Sequence, residues 1–136
     1  MTHLYEFTKP RNCIQSLLDK LSSPSRIVPL SKGALVSLNH GTEQDCFVFH
    51  HGIALLRRIA DQMIVGNIEA PLMFGYNRYL NIGSQVYIEA VTDVSFEVIP
   101  ASQFYHIVSE NVLWEPLLNV TMYLSSLLFH KNTILS

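Results

Sequence analysis

The chain has 136 residues, of which 49% are apolar and 15% are charged, and its formal net charge is −2. A chain of this length and apolar content can bury one sizeable core, so the composition argues against an intrinsically disordered protein. The charge balance also argues against a DNA-binding surface in this segment, because such a surface needs several cations to neutralise phosphates. Only one adjacent basic pair occurs, Arg57-Arg58.

A first helix is predicted at about residues 11–22. Four apolar residues recur there at spacings of three, one and three, which places them on one helical face: Ile14, Leu17, Leu18 and Leu21. The helix is expected to end at the Ser22–Ser25 cluster, because Pro24 disfavours helical geometry in the residue before it.

The stretch from about residue 26 to residue 99 consists of short apolar runs separated by turn-forming residues. The runs are Arg26–Leu30, Ala34–Leu38, Cys46–His50, Ile53–Arg58, Met63–Ile68, Val86–Val91 and Ser95–Ile99. Their length and regular spacing predict seven or eight short strands in an antiparallel barrel or sandwich.

Two further helices are predicted at about residues 101–110 and 113–131. The second is expected to begin near Pro116, which is tolerated in a first helical turn, and Glu115, whose charge suits the helix dipole. Its apolar residues alternate by four and three positions and form a heptad seam: Leu113, Leu117, Val120, Leu124 and Leu127. We expect this seam to join two copies of the chain; the alternative is that it packs within its own domain.

The order of these elements resembles the N-terminal half of CRP/FNR transcription regulators. Local features carry the resemblance: the strand, Gly turn and strand of residues 46–56, the Phe74-Gly75 step, and Glu89-Ala90-Val91-Thr92. Residues 70–75 and 112–115 are most similar to the IprA-like winged-helix regulators. The resemblance implies a mainly β fold with flanking helices, an antiparallel double-stranded β-helix. This is the jelly-roll-like β-roll of cyclic-nucleotide-binding domains, followed by a long C-terminal dimerisation helix.

The resemblance also implies a function. Residues 1–136 would form a single sensor and dimerisation domain of a cytoplasmic bacterial regulator. DNA would be bound only through a further, C-terminal domain that is not present in this chain. The apolar stretch at residues 112–129 is too interrupted to span a membrane, and the N-terminus carries no secretion signal.

The phosphate-binding cassette of the family is degenerate here. The family has a Gly-Glu step and then an Arg followed by small residues, whereas Gly75 is followed by Tyr76 and the Arg position falls at about Ser84. We therefore expect that cyclic nucleotides are not bound. The residues of this candidate degenerate pocket are Phe74, Gly75, Tyr76, Arg78, Ser84, Gln85 and Tyr87. They either line a pocket for an unknown small molecule, with Arg78 attracting an anion, or the tyrosines, Tyr79 included, plug the mouth of the barrel.

Other chemistry has weaker support in the sequence. Cys13 and Cys46 lack the spacing of a zinc site or a disulfide framework. His50 and His51 are adjacent, so on a strand they point to opposite faces and cannot share one metal ion without a bulge. Haem ligation by Cys46, His106 or His130 is the weaker alternative. We expect no catalytic residue, metal or cofactor, and no enzymatic activity; the alternative function is a stand-alone, cupin-like β-barrel that binds a small molecule or depends on a metal.

Overall fold

The computed structural model describes residues 8–37, 45–76 and 86–129, with side chains up to residue 126. It begins with helix α1 (Arg11–Leu21) and a single 3-10 turn (Pro24–Arg26), and it ends with helices α2 (Ala101–Glu110) and α3 (Trp114–Phe129). Between them lie strands β1 (Val28–Leu30), β2 (Leu35–Ser37), β3 (Asp45–His51), β4 (Ile53–Arg58), β5 (Ile64–Glu69), β6 (Leu72–Phe74), β7 (Val86–Ala90) and β8 (Val94–Pro100).

The strands form two four-stranded antiparallel sheets. The first has the order β1-β8-β3-β6 and the second β2-β7-β4-β5, so each sheet combines strands from both ends of the β region. This arrangement, with helices on either side of it in sequence, confirms the predicted fold class of a β-roll with flanking helices.

The inner face of the first sheet is lined with phenylalanines. Phe49 stacks on Phe74 at 5.7 Å and on Phe96 at 5.9 Å between ring centroids, and Phe47 stacks on Phe74 at 5.7 Å. Because side chains alternate along a strand, Cys46, Val48 and His50 lie on the opposite face of β3. Cys46 and Val48 are nevertheless fully buried. The outer face of this sheet is therefore covered as well.

The helices provide that cover. The four apolar residues of α1 on which its prediction rests, Ile14, Leu17, Leu18 and Leu21, are all buried. Helix α1 packs against α3, and α2 packs against β3 and β8. The molecule thus has one core in two layers, inside the β-roll and between the first sheet and the helices. Among the described residues, no helix is long and apolar enough to cross a membrane.

Candidate functional site

The candidate pocket begins where β6 ends. Phe74 is part of the phenylalanine stack, and Gly75 follows it with a φ of +91°. A Cβ atom on Gly75 would lie 2.6 Å from the carbonyl oxygen of Asp45, which is closer than real Cβ atoms come. Gly75 is therefore required for the turn by which the chain passes under the start of β3.

Tyr76 is buried against the helices, with only 2% of its surface exposed. Its ring stacks on Phe104 of α2 at 4.8 Å between centroids, and its hydroxyl lies 2.8 Å from Oγ1 of Thr121 on α3. Tyr105 donates a hydrogen bond of 2.7 Å to the carbonyl oxygen of Tyr76. Burial raises the pKa of the Tyr76 phenol well above its ordinary value, while the hydrogen bond to Thr121 acts in the opposite direction. Tyr76 is thus a neutral side chain that ties the end of β6 to two helices.

The remaining predicted pocket residues do not all join Tyr76. Tyr87 alternates along β7 with the buried residues Val86 and Ile88, so its side chain lies on the opposite face of the second sheet. Tyr76 and Tyr87, the two members of the predicted tyrosine group that the structure describes, therefore do not lie together in one pocket. Arg78, Tyr79, Ser84 and Gln85 lie outside the described residues.

The heptad seam of α3 faces inward. Leu117, Val120 and Leu124 are at most 6% exposed within the single chain, and Leu113 packs against the same core. The side chain of Leu127 lies outside the described part of the structure. These described side chains are buried within the single chain, where α3 packs against α1 and α2, as the alternative of a seam that packs within its own domain expects.

A different face of α3 is open to solvent. Trp114, Leu118 and Met122 follow one another at intervals of four residues and are 50%, 58% and 46% exposed. We call these three residues the outer stripe. An α-helix places residues four apart on one side, so the outer stripe is a continuous apolar surface on a side of α3 that is exposed among the described residues.

Sequence reasoning missed a buried charge, Glu97 of β8. Its carboxylate is fully buried and accepts hydrogen bonds from Nε of Arg26 at 3.1 Å and Nε2 of His50 at 2.7 Å, with the backbone N–H of Ser23 at 3.4 Å. Arg26 also donates to the carbonyl oxygen of Leu21, the last residue of α1. The cluster therefore fastens the C-terminal end of α1 to the first sheet. The nearest signal in the sequence is a single Glu inside an apolar run.

The two adjacent histidines have different surroundings. His50 faces Glu97 and is partly buried, whereas His51 is exposed, and the pairing of β3 with β8 shifts register between Phe49 and His51. In the described ranges, no group of three or more His, Cys, Asp or Glu residues is arranged to hold a metal ion.

Three solved structures show the same fold. The heme domain of CooA from Carboxydothermus hydrogenoformans matches with a TM-score of 0.62 and 19% identity over 95% of this chain and 92% of that chain. A double mutant of CooA from the same organism matches with a TM-score of 0.61 and 22% identity, over 88% and 82% of the two chains. The sensor domain of the regulator DNR from Pseudomonas aeruginosa matches at 0.55 and 17%, over 79% and 87%.

This chain has the fold of a CRP/FNR-type sensor domain. No family model matches its sequence, and no curated protein does. Of the residues offered as haem ligands, the two that the structure describes, Cys46 and His106, lie in different surroundings. Cys46 is fully buried, and burial, followed by the charges of Glu97 and Asp45, raises its pKa well above the ordinary value, which disfavours the thiolate that binds metals. His106 is exposed on α2 beside Glu110, and His130 lies outside the described residues.

Proposed function

We propose that this chain is the sensor and dimerisation domain of a bacterial CRP/FNR-like transcription regulator that does not bind cyclic nucleotides. The observation that carries the proposal is Tyr76, which follows Gly75 where the resembling family has the carboxylate for the ribose. Its side chain is buried against α2 and α3, which supports a role in packing rather than in ligand binding at this position.

Energetics support the absence of nucleotide binding. A cyclic phosphate that leaves water needs a paired cation, because an unpaired buried charge is costly. The position that matches the phosphate-binding Arg is Ser84 in the sequence. A nucleotide at the cassette would therefore gain no ion pair from the position of the phosphate-binding Arg.

Isothermal titration calorimetry with cyclic AMP and cyclic GMP tests this proposal. We expect no binding at micromolar concentrations. A dissociation constant of one micromolar corresponds to about −8 kcal/mol, for which the cassette lacks both charged groups. Saturable binding of either nucleotide with a micromolar or lower dissociation constant would contradict the proposal.

The partner we propose for α3 is a second copy of the chain, docked through the outer stripe. The stripe is apolar over two helical turns, and two such helices can bury it against each other across a two-fold axis. The heptad seam then packs each α3 within its own domain.

The regulator would act on DNA in the cytoplasm. With a net charge of −2, this domain does not supply the basic surface that phosphates require. We therefore assign DNA binding to a separate domain that is C-terminal to this one.

A further inference from the structure

A cleft of about 400 Å³ lies beside α1, between its C-terminal half, the 3-10 turn and the end of β3. We call it the α1 cleft; the lining residues used here are Gln15, Leu18, Asp19, Ser22, Ile27 and His50. Its volume falls within the range of small-molecule sites. We propose that the α1 cleft binds a small organic cation, an amine with an apolar body. This proposal goes beyond the function proposed above and does not depend on it.

Glu97 fixes the orientation of the imidazole in this cleft. The carboxylate of Glu97 can only accept a hydrogen bond, and it lies 2.7 Å from Nε2 of His50, so Nε2 carries the proton. Because Nε2 is directed at a fully buried carboxylate, the solvent-exposed part of the ring, 19% of the side chain, is the part that remains for a ligand.

The charge of the cleft favours a cation. Asp19 is the only carboxylate among the described residues that line it. Asp19 accepts one hydrogen bond of 2.7 Å from Gln15, and in the described ranges it has no ion pair. Arg26 stands nearby, but its charge is already balanced by Glu97. The cleft therefore presents the carboxylate of Asp19 to a ligand, beside the hydroxyl of Ser22, which lies 3.4 Å from Nε2 of His50.

The rest of the cleft wall is apolar. Leu18 and Ile27 contribute hydrocarbon surface beside the acceptors. An ammonium group at Asp19 would gain a charge-assisted hydrogen bond, while an attached apolar body would cover these side chains. A ligand in this position touches His50, which is bonded to Glu97, and through Arg26 the cluster reaches the last carbonyl of α1. Ligand binding in the α1 cleft would thus affect the junction between α1 and the first sheet.

Two-dimensional amide NMR with three probes that share one apolar body tests the proposal. The probes are cyclohexylmethylamine, cyclohexylmethanol and cyclohexanecarboxylate, each added up to about 10 mM, which is well above a millimolar dissociation constant. We expect the amine to shift the amides of Gln15, Ser22 and His50 saturably, and the alcohol and the carboxylate to do so at least about tenfold more weakly, because neither forms an ion pair with Asp19.

Asp19→Asn is the decisive variant, since it removes the charge at an exposed position and keeps the shape. It should weaken amine binding about tenfold. Glu110→Gln is the matched control, because it removes the same charge from an exposed site on α2, and it should leave binding unchanged. The proposal is overturned if the amine causes no shift in the α1 cleft, if Asp19→Asn binds as tightly as the wild type, or if the carboxylate binds more tightly than the amine.

Discussion

Glu97 is the most unusual single residue of the fold, because a fully buried carboxylate is tolerated only when its charge and hydrogen-bonding capacity are satisfied. Three groups from the 3-10 turn region and β3 provide this, and among the described side chains no buried polar atom lacks a partner. Arg26 remains about one-third exposed, so it is solvated from outside while it neutralises a charge inside. Glu97 therefore acts as an internal anchor for the exit from α1.

We predict that Glu97→Gln destabilises the domain by about 2 kcal/mol, because it removes the charge that holds Arg26 and His50 but keeps the volume. Urea unfolding followed by circular dichroism measures this. Glu89→Gln is the matched control, since Glu89 pairs with Arg57 on a half-exposed face of β7 and β4, and it should cost less than about 1 kcal/mol. Equal losses in the two variants would show that burial of Glu97 has no special role.

The sequence could not have shown this cluster. Glu97 lies 71 residues from Arg26 and 47 from His50, and within its apolar run nothing distinguishes a buried carboxylate from one that faces solvent. The sequence did identify Tyr76, because it stands at the position of the Glu in the family's Gly-Glu step. Its contacts with Phe104 and Thr121 required the packing of helices whose positions the sequence does not specify.

At the scale of elements, Tyr76 joins the end of β6 to both C-terminal helices. Phe104 and Tyr105 of α2 contact its ring and its carbonyl, and Thr121 of α3 contacts its hydroxyl. The aromatic chain continues through Tyr105 to Trp114, whose ring lies 6.3 Å away at the start of α3. The position of α3 is therefore set partly by the residue that fills the degenerate cassette.

We predict that Tyr76→Ala destabilises the domain by about 3–5 kcal/mol, through the cavity it leaves, and that Tyr76→Phe costs about 1 kcal/mol for the lost hydrogen bond. Tyr123→Phe is the control on α3, because the Tyr123 hydroxyl has no hydrogen-bond partner in the described ranges, and its stability should match that of the wild type. Thermal unfolding of the four proteins measures the differences. A Tyr76→Ala domain as stable as wild type would mean that the ring does not fill a packed space.

Helices α1 and α3 and strand β6 show how far the spacing of apolar residues predicts packing. In α1 the apolar spacing predicted an apolar face, and that face is buried within the domain. In α3 the same reasoning identified a seam but not its neighbour, because a four-three spacing fits either a partner helix or the chain's own core. Strand β6 has three residues that are all apolar and all buried, so it has no alternating pattern by which a strand could be recognised.

For the whole molecule, the regular spacing of short apolar runs predicted antiparallel strands in a barrel or sandwich, and the resemblance to CRP/FNR regulators implied the β-roll with flanking helices. The pairing of strands was not available from that pattern. Strands β3 and β8 are neighbours although they lie far apart in sequence, and each sheet takes strands from both halves of the β region. The pairing and register of the strands are set by the core that the two sheets and the helices form together.

Assembly is the property of the whole molecule on which the account depends most. If the heptad seam packs α3 against its own domain and the outer stripe packs it against a second copy, the wild type is a dimer. Burial of a Leu or Met side chain contributes about 1.5–3 kcal/mol, so Leu118 and Met122 from both copies supply a large share of the association energy. Leu118→Asp with Met122→Asp should then give a folded monomer.

Sedimentation velocity, with circular dichroism to report folding, is the measurement that tests this most directly. The controls are Ile59→Asp with Met63→Asp, at comparably exposed apolar positions in and beside the β4–β5 turn, and Leu124→Asp in the buried seam. We predict a dimer for the wild type and for the turn variant, a folded monomer for the outer-stripe variant, and an unfolded chain for Leu124→Asp. A monomeric wild type, or an outer-stripe variant that still sediments as a dimer, would contradict the account.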